Sequence, residues 1–284
     1  MNMEIDCINC QLQQIIRTIK IAEESRWMEI MSDALNLLSE FAKQKNVPAA
    51  VSTYMQKYIC KRLKCKDPYY HIREKSNIIA NNLLSEIKKE RTAFSIEDLC
   101  LLSAAGNLID FAVIDSLDDC KSRIMKIFSN RFFINDICKL DKFLRQKKSV
   151  LYFTDNSGEI VFDKILIEYI KSHYTIKVYM VINVNPIFND ATKQEIIELG
   201  FEDYIDGIIE KNPEFLGFDL DGCHNYFKNY FAKDSFIVSK GMANYECFST
   251  YDVNIPVIEI LLAKCPVIAN RLEVPINAPV VKLL

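Results

Sequence analysis

The sequence predicts an α/β protein in which a helical N-terminal domain precedes a mostly parallel β-sheet covered by helices on both faces. Glycine is scarce, with seven residues in a chain of 284, and only Gly106 lies before residue 158. The first part of the chain therefore lacks glycine-rich turns, and its apolar residues recur at helical spacing. From Lys147 onward, short apolar runs alternate with helical stretches. We predict a helical domain over residues 1–145 and an α/β domain over residues 146–284.

The helices of the first domain are predicted from apolar periodicity and from residues typical of helix starts. In order, the predicted helices cover residues 15–22, 28–41, 48–63, 67–87 and 95–108. Pro48 suits the first turn of the third helix, because its fixed φ matches a helix and its missing N–H has no partner there. Ser95 is a good N-cap for the fifth helix, and Asp98 adds negative charge to its first turn.

The strands of the second domain are predicted from short apolar runs rich in β-branched and aromatic residues. They cover residues 149–154, 176–182, 236–239, 257–262 and 266–269. Helices are predicted over residues 159–172 and 190–199. Ligands of parallel sheets bind outside the carboxyl ends of the strands. We therefore expect the functional site at residues 154–159, 183–190 and 239–244.

The first of these segments offers oxygen ligands beside a helix start. Asp155 and Asn156 are adjacent, Gly158 permits a tight turn, and Glu159 lies in the first helical turn. Hard cations prefer carboxylate and amide oxygens, and free N–H groups at a helix start attract phosphate. The simpler interpretation is an ordinary turn with an aspartate N-cap.

The other two segments add groups of complementary chemistry. Asn189 and Asp190 stand just before a helix, where they could also be a simple N-cap. Lys240-Gly241 directly follows an apolar strand, and its ammonium could neutralise phosphate charge. Each segment is weak alone, but together they place two acids, an amide and a lysine at strand ends of one sheet. That set indicates metal-assisted phosphoryl chemistry.

Several segments resemble the damage-control phosphatase family, a metal-dependent group long catalogued as a domain of unknown function. They span nearly the whole chain in order and are TDNSGEIVFDKILIEYI (154–170), NPIFNDATKQE (185–195), SKGMANYE (239–246), AAGNLIDF (104–111) and LLAKCPVIANRLEV (261–274). DPYYHIREKSN (67–77) and the N-terminal Cys7-x-x-Cys10 resemble the stand-alone prokaryotic type. The loop over residues 215–221 departs from the family pattern at the expected rim of the substrate pocket.

The resemblance implies a fold, a cofactor and a substrate class. The fold is a three-layer α/β/α sandwich preceded by a helical region. The cofactor is a divalent metal, Mn²⁺, Co²⁺, Ni²⁺ or Mg²⁺. The expected partner is a small phosphorylated metabolite, such as a sugar phosphate, a phosphopantetheine-like compound or a related, damaged phosphometabolite.

The resemblance also implies roles for particular residues. The expected metal ligands are Asp155, Asn156 and Asp190. The expected substrate contacts are Lys240 and Gly241 at the phosphate, Asn107 and Asp110 from the helical domain, and Asn189 and Asn244 from the strand-end segments. Asp155, Glu159 and Lys240 are the expected catalytic residues, with Glu159 orienting water. The nucleophile stays open between a water molecule and the Asp155 carboxylate.

Three other functions would each explain part of the sequence. Carboxyl methyl transfer from S-adenosylmethionine would favour a glycine-rich first loop, and here that loop has only Gly158. A non-enzymatic, metal-stabilised binding module is a further alternative. Phe218-Asp-Leu-Asp-Gly222 resembles the nucleophile motif of haloacid-dehalogenase-type phosphatases, but that motif should end a strand near the start of its domain.

The composition predicts the partners and the cellular compartment of the protein. The net charge is −3 and the pI about 5.8, without a basic stripe, so no nucleic-acid partner is expected. No run approaches the roughly 18 apolar residues of a membrane span, and the N-terminus lacks a signal-peptide pattern. We therefore expect a cytoplasmic protein with no membrane partner, whose ten cysteines are free thiols. The role of Cys7 and Cys10 stays open between metal binding, dithiol chemistry and an incidental pair.

Overall fold

The computed structural model describes most of the chain. The described residues are 1–44, 46–91, 93–109, 117–129, 131–211, 214–218, 230, 234–251 and 253–284, with only the backbone described for residues 117–119. Within these ranges every helix is too short or too polar to cross a bilayer. Asp219 and Asp221, which carry the dehalogenase-like motif, lie outside the described residues.

Helices dominate the first half of the chain, as predicted. Their bounds are α1 Ile5–Ile21, α2 Trp27–Ala42, α3 Pro48–Leu63, α4 Tyr70–Glu90, α5 Ile96–Gly106, α6 Leu117–Ser129 and α7 Ile137–Gln146. Pro48 occupies the first turn of α3. The Ser95 side chain accepts a hydrogen bond from the Asp98 N–H, and the Asp98 side chain accepts one from the Ser95 N–H. Both predicted helix starts are therefore confirmed.

Seven strands of the described part form a single sheet. Their bounds are β1 Ile134–Asn135, β2 Ser149–Phe153, β3 Lys177–Asn183, β4 Gly207–Lys211, β5 Ser235–Lys240, β6 Val257–Ala263 and β7 Ala278–Leu283. The order across the sheet is β1-β7-β6-β5-β2-β3-β4. Every neighbouring pair is parallel except β6 and β7. The fold class predicted from the sequence is confirmed.

Four helices connect or flank these strands. They are α8 Glu159–His173, α9 Lys193–Glu198, α10 Gly241–Phe248 and α11 Pro266–Leu272. The strand predicted over residues 266–269 is wrong, because this segment is the helix α11. Pro266 stands in its first turn, and the Cys265 thiol accepts a hydrogen bond from the Ile268 N–H. A short, fully apolar run does not distinguish a strand from a buried helix.

The main hydrophobic core crosses the boundary predicted at residue 145. Helices α4 and α5 pack on α8, and the buried cluster includes Leu102 from α5, Leu144 from α7 and Phe162 from α8. The sheet likewise takes β1 from before the boundary. The division into two domains at this point stays a prediction.

Candidate active site

The loops that follow β2 and β3 are joined by backbone hydrogen bonds. The Ser157 N–H donates to the Asn189 carbonyl at 2.9 Å, and the Ala191 N–H donates to the Asp155 carbonyl at 2.8 Å. Asn156 and Asp190 form an antiparallel backbone bridge between these contacts. Since β2 and β3 are parallel neighbours, their loops leave the same edge of the sheet. The structure thus brings together the three residues predicted as metal ligands.

A pocket of about 130 Å³ opens above these loops. Of the predicted site residues, its lining contains Asn107, Asp155, Asn156, Asn189 and Asp190. Lys240, Glu159, Gly241 and Asn244 are close to the pocket but do not line it. Asp110 lies outside the described residues.

Asp155 is held in place by two amide groups and a glycine. Its Oδ2 accepts from Asn107 Nδ2 at 2.6 Å and from Asn156 Nδ2 at 2.7 Å. Gly241, at the start of α10, has a φ of +80°. A Cβ at this position would collide with the Asp155 carboxylate. The predicted close approach at Gly241 is therefore made to Asp155 in this structure.

The acidic groups of the site share a buried region. Burial raises the pKa of Asp155 to about 7, and the charge of Asp190 contributes in the same direction. Burial also raises the pKa of Asp190 to about 7, although Lys211 and Arg73 oppose the shift. In both cases the loss of water around the carboxylate is the main cause of the shift.

Lys240 lies beneath the pocket in a buried ionic cluster. Its ammonium donates to the Glu159 carboxylate, to Asp163 Oδ1 at 2.8 Å and to the Ser103 carbonyl at 3.4 Å. Burial alone would lower the pKa of Lys240, but Asp163 and Glu159 hold it above its ordinary value. Burial raises the pKa of Glu159 to about 8 against the effect of Lys240. A direct contact between Lys240 and phosphate stays a prediction.

Asn244 supports the backbone rather than the pocket surface. Its Nδ2 donates to the Thr154 carbonyl at 3.1 Å and to the Lys240 carbonyl at 2.7 Å. These bonds tie the end of β2 to the end of β5. Its predicted contact with substrate also stays a prediction.

Two cationic side chains that the sequence did not predict line the pocket. Lys264 follows β6, and its Nζ donates to the Asn107 carbonyl at 2.9 Å. Because β6 pairs with β5, the strand-end rule could have found Lys264 as a fourth member of the set. Arg17 reaches the pocket from α1. No local pattern marks it, since only the packing of α1 over the sheet edge brings it there.

Helix α4 contacts both the loop after β2 and the loop after β3. Arg73 donates to the Phe188 carbonyl at 2.9 Å and pairs with Asp67. Asn77 Oδ1 accepts from the Gly158 N–H at 2.6 Å. These residues belong to the segment DPYYHIREKSN (67–77), whose resemblance to the family gave no role for them. The structure indicates a positioning role.

Comparison with known proteins identifies the family. The family model of the damage-control phosphatase ARMT1-like domain matches residues 3–280 of the chain. The chain belongs to this family. The damage-control phosphatase resemblance read from the sequence is therefore confirmed.

Similar proteins cover almost the full chain. The damage-control phosphatase PH1575 of Pyrococcus horikoshii is 31% identical over 98% of this chain and 96% of its own length. The MJ0202 protein of Methanocaldococcus jannaschii is 30% identical over 96% of this chain and 92% of its own. A damage-control phosphatase of Archaeoglobus fulgidus is 25% identical over 98% of both chains. The crystal structure of PH1575, described as a DUF89 family protein, has a TM-score of 0.89 at 29% identity, covering 99% of this chain and 98% of that chain.

Proposed function

We propose that this damage-control phosphatase family member is a divalent-metal-dependent enzyme that hydrolyses small phosphate monoesters. One observation carries the proposal. The loops after β2 and β3 are joined so that Asp155, Asn156 and Asp190 line one pocket, which Arg17 and Lys264 also line. Acidic oxygen ligands beside cationic side chains are the arrangement that binds a metal ion and a phosphate together.

The side chains of the pocket fit a hard divalent cation. Asp155 and Asp190 offer carboxylate oxygens and Asn156 an amide oxygen, the ligand types that Mg²⁺ and Mn²⁺ prefer. The pKa values of both aspartates are raised to about 7, mainly because burial disfavours their charged forms. A bound cation would stabilise these charged forms. Among the described residues, no three His, Cys, Asp or Glu side chains are grouped closely enough to hold a metal ion. The site that we propose therefore has only two carboxylates, and the Asn156 amide is its third ligand. The cation would be Mn²⁺, Co²⁺, Ni²⁺ or Mg²⁺.

The side chains in and beneath the pocket would have different roles in binding and catalysis. When bound, the cation would offset charge on the phosphate oxygens. Arg17 and Lys264 would hold the phosphate through charge-assisted hydrogen bonds. Asn107 would keep Asp155 oriented through its 2.6 Å bond to Oδ2. Lys240 would act through Glu159, whose carboxylate it contacts, rather than by touching the phosphate.

The nucleophile is either a water molecule or the Asp155 carboxylate. Asp155 lies on the pocket surface, so a phosphate bound there would be within its reach. Glu159 joins the same network through Asn107 and would act on the pocket through that amide, because it does not line the pocket itself. The stereochemical course of the reaction, followed with an ester whose phosphate is made chiral by oxygen isotopes, separates the two routes. Net retention at phosphorus indicates attack by Asp155 followed by water, and net inversion indicates direct attack by water.

Phosphate release from a panel of sugar phosphates and other small monoesters tests the proposal. We expect release with Mn²⁺, loss of release with a chelator, and recovery when the metal is restored. Asp155→Ala should abolish release, whereas Asp203→Ala, at an exposed position, should not. Phosphate release that continues unchanged in the presence of the chelator would refute metal dependence. No release from any ester would refute the phosphatase, and a labelled-methyl assay with S-adenosylmethionine would then separate a methyltransferase from a binding module.

A further inference from the structure

Asp190, one of the two acidic residues expected to hold the metal, is contacted by a side chain from the end of β3. Asn183 Nδ2 donates to Asp190 Oδ2 at 3.1 Å, and Asn183 is only 5% exposed. The oxygen of the same amide, Oδ1, accepts from the Phe215 backbone N–H at 2.9 Å. A backbone N–H can only donate, so this contact fixes the orientation of the Asn183 amide and turns its Nδ2 towards Asp190.

Asn183 is related to Asp190 as Asn107 is related to Asp155. In each pair a buried amide donates to Oδ2 of the carboxyl group. A donor of this kind fixes the orientation of a metal ligand, and its removal typically lowers metal affinity by about 10–100-fold. Asn183 can therefore affect metal binding although it does not line the pocket itself.

The backbone N–H that Asn183 accepts from belongs to a segment of the pocket wall. This rim segment covers residues 214–218, and its Leu216 lines the active-site pocket. Lys211, which pairs with Asn183 across β3 and β4, donates to a carbonyl of the rim segment at 3.0 Å. The Leu216 N–H donates to the Thr53 hydroxyl of α3 at 3.0 Å. Buried side chains from three elements thus hold the backbone of the rim segment.

The rim segment is also closely packed against α10. Gly217 has a φ of +76°, and a Cβ at this position would collide with the Ala243 carbonyl. The Gly217 carbonyl accepts a second hydrogen bond from Lys211, at 2.6 Å. Because close-packed interiors transmit small displacements, a shift of the Phe215 backbone would also move Leu216 in the pocket wall.

We propose that Asn183 is a positioning residue that couples the metal site to the pocket wall. With a cation bound, Asp190 keeps one orientation, which fixes the Asn183 amide and through it the Phe215 N–H. By reciprocity, the rim segment in its present place raises the affinity of Asp190 for the cation. The wall at Leu216 is therefore fixed when the metal is bound, whether or not substrate is present. This inference rests on the proposed function, because it assumes a divalent cation at Asp190.

The metal affinity of Asn183→Leu tests the effect on Asp190. Leucine has a similar size and removes both hydrogen bonds of the amide. Calorimetry with Mn²⁺ alone should give a Kd about tenfold or more above that of the wild type. Asn36→Leu, the same substitution at an exposed position of α2, is the control and should match the wild type. Unchanged Mn²⁺ affinity in Asn183→Leu would overturn the proposal.

Hydrogen exchange of the Phe215 amide tests the coupling itself. Mass spectrometry with fragmentation to single residues measures this rate in the absence of any ester. Saturating Mn²⁺ should slow the exchange by about fivefold or more in the wild type and in Asn36→Leu. In Asn183→Leu, Mn²⁺ should leave the rate unchanged. An amide with a purely structural role would instead change the rate equally with and without the metal.

Two results of the exchange measurement would contradict the coupling. Slowing by Mn²⁺ that persists in Asn183→Leu would assign the coupling to another contact of the rim segment and overturn the role of Asn183. If this variant does not fold, the wild type alone is decisive, because exchange at Phe215 that is insensitive to Mn²⁺ overturns the proposal.

Neither measurement depends on turnover, so the inference and the proposed function can fail separately. Protection of Phe215 by Mn²⁺ that requires Asn183, in a protein that releases no phosphate from any ester, would retain the coupling and overturn the phosphatase. Metal-dependent phosphate release without this protection would retain the phosphatase and overturn the coupling.

Discussion

Asn107 Nδ2 donates to Asp155 Oδ2 at 2.6 Å and to Glu159 Oε2 at 2.5 Å, so one amide group at the end of α5 joins two buried carboxyl groups. The amide has two hydrogens, and both are used. Asn107 itself is 1% exposed, and its carbonyl accepts from Lys264. The helical half of the chain therefore orients both the expected metal ligand and the buried acidic cluster beneath it.

Asn107→Ala should lower kcat by about a hundredfold, because Asp155 loses the donor that fixes its orientation. KM should change less, since Arg17 and Lys264 keep their places in the pocket. Steady-state kinetics with the best ester of the panel measures both constants. Asn270→Ala, exposed on α11, is the control and should match the wild type. A pure KM effect from Asn107→Ala would contradict the orienting role.

Gly241→Ala should inactivate the enzyme and lower its free energy of unfolding by about 1–3 kcal/mol. The new Cβ would meet the Asp155 carboxylate, and the φ of +80° is strained for any residue with a side chain. Gly207→Ala provides a matched control, because a Cβ there would approach Tyr179 no closer than 3.4 Å. Denaturant unfolding and phosphate release, measured on both variants, check the prediction. Normal activity in Gly241→Ala would mean that Asp155 does not need its present position.

A rule about sheets located the candidate segments in the sequence, and the family resemblance named the expected metal ligands within them. Asp155 and Asp190 follow parallel strands, and such strands present their carboxyl ends at one edge whatever their separation in the chain. Arg17 was not predicted, because the sequence of α1 does not indicate which part of the sheet edge this helix covers. Lys240 was correctly placed at a strand end, but its partner Asp163 lies on the buried face of α8. Only the packing of that helix on the sheet shows that Lys240 is enclosed by carboxylates.

Glu246 should make the protein less stable as the pH rises. Burial raises the pKa of this carboxyl from 4.5 to about 8 in the folded state. Between these values the folded state binds more protons than the unfolded state, so the free energy of unfolding falls with increasing pH. Glu246→Gln cannot ionise and should make this dependence less steep, leaving the part that Asp155, Asp190 and Glu159 contribute, while its side-chain oxygen still accepts from the Ala49 N–H. Thermal unfolding from pH 5 to 8 measures the slope, with exposed Glu202→Gln as the control that should leave it unchanged.

Substitution of Lys240 should lower the stability of the protein, whereas substitution of Lys264 should raise KM. Lys240→Met leaves Glu159 and Asp163 buried without their cation, and it should cost about 3–5 kcal/mol of folding free energy. Lys264→Met removes a cation from the pocket lining, where phosphate would bind, and it should raise KM about tenfold or more with little loss of stability. The variants have the same change in charge and a similar change in volume, so each serves as the other's control. Denaturant unfolding and KM for one ester, measured on both proteins, separate the roles. A raised KM at full stability in Lys240→Met would assign the phosphate contact to Lys240 instead, because a buried counter-ion cannot be removed without destabilising its partners.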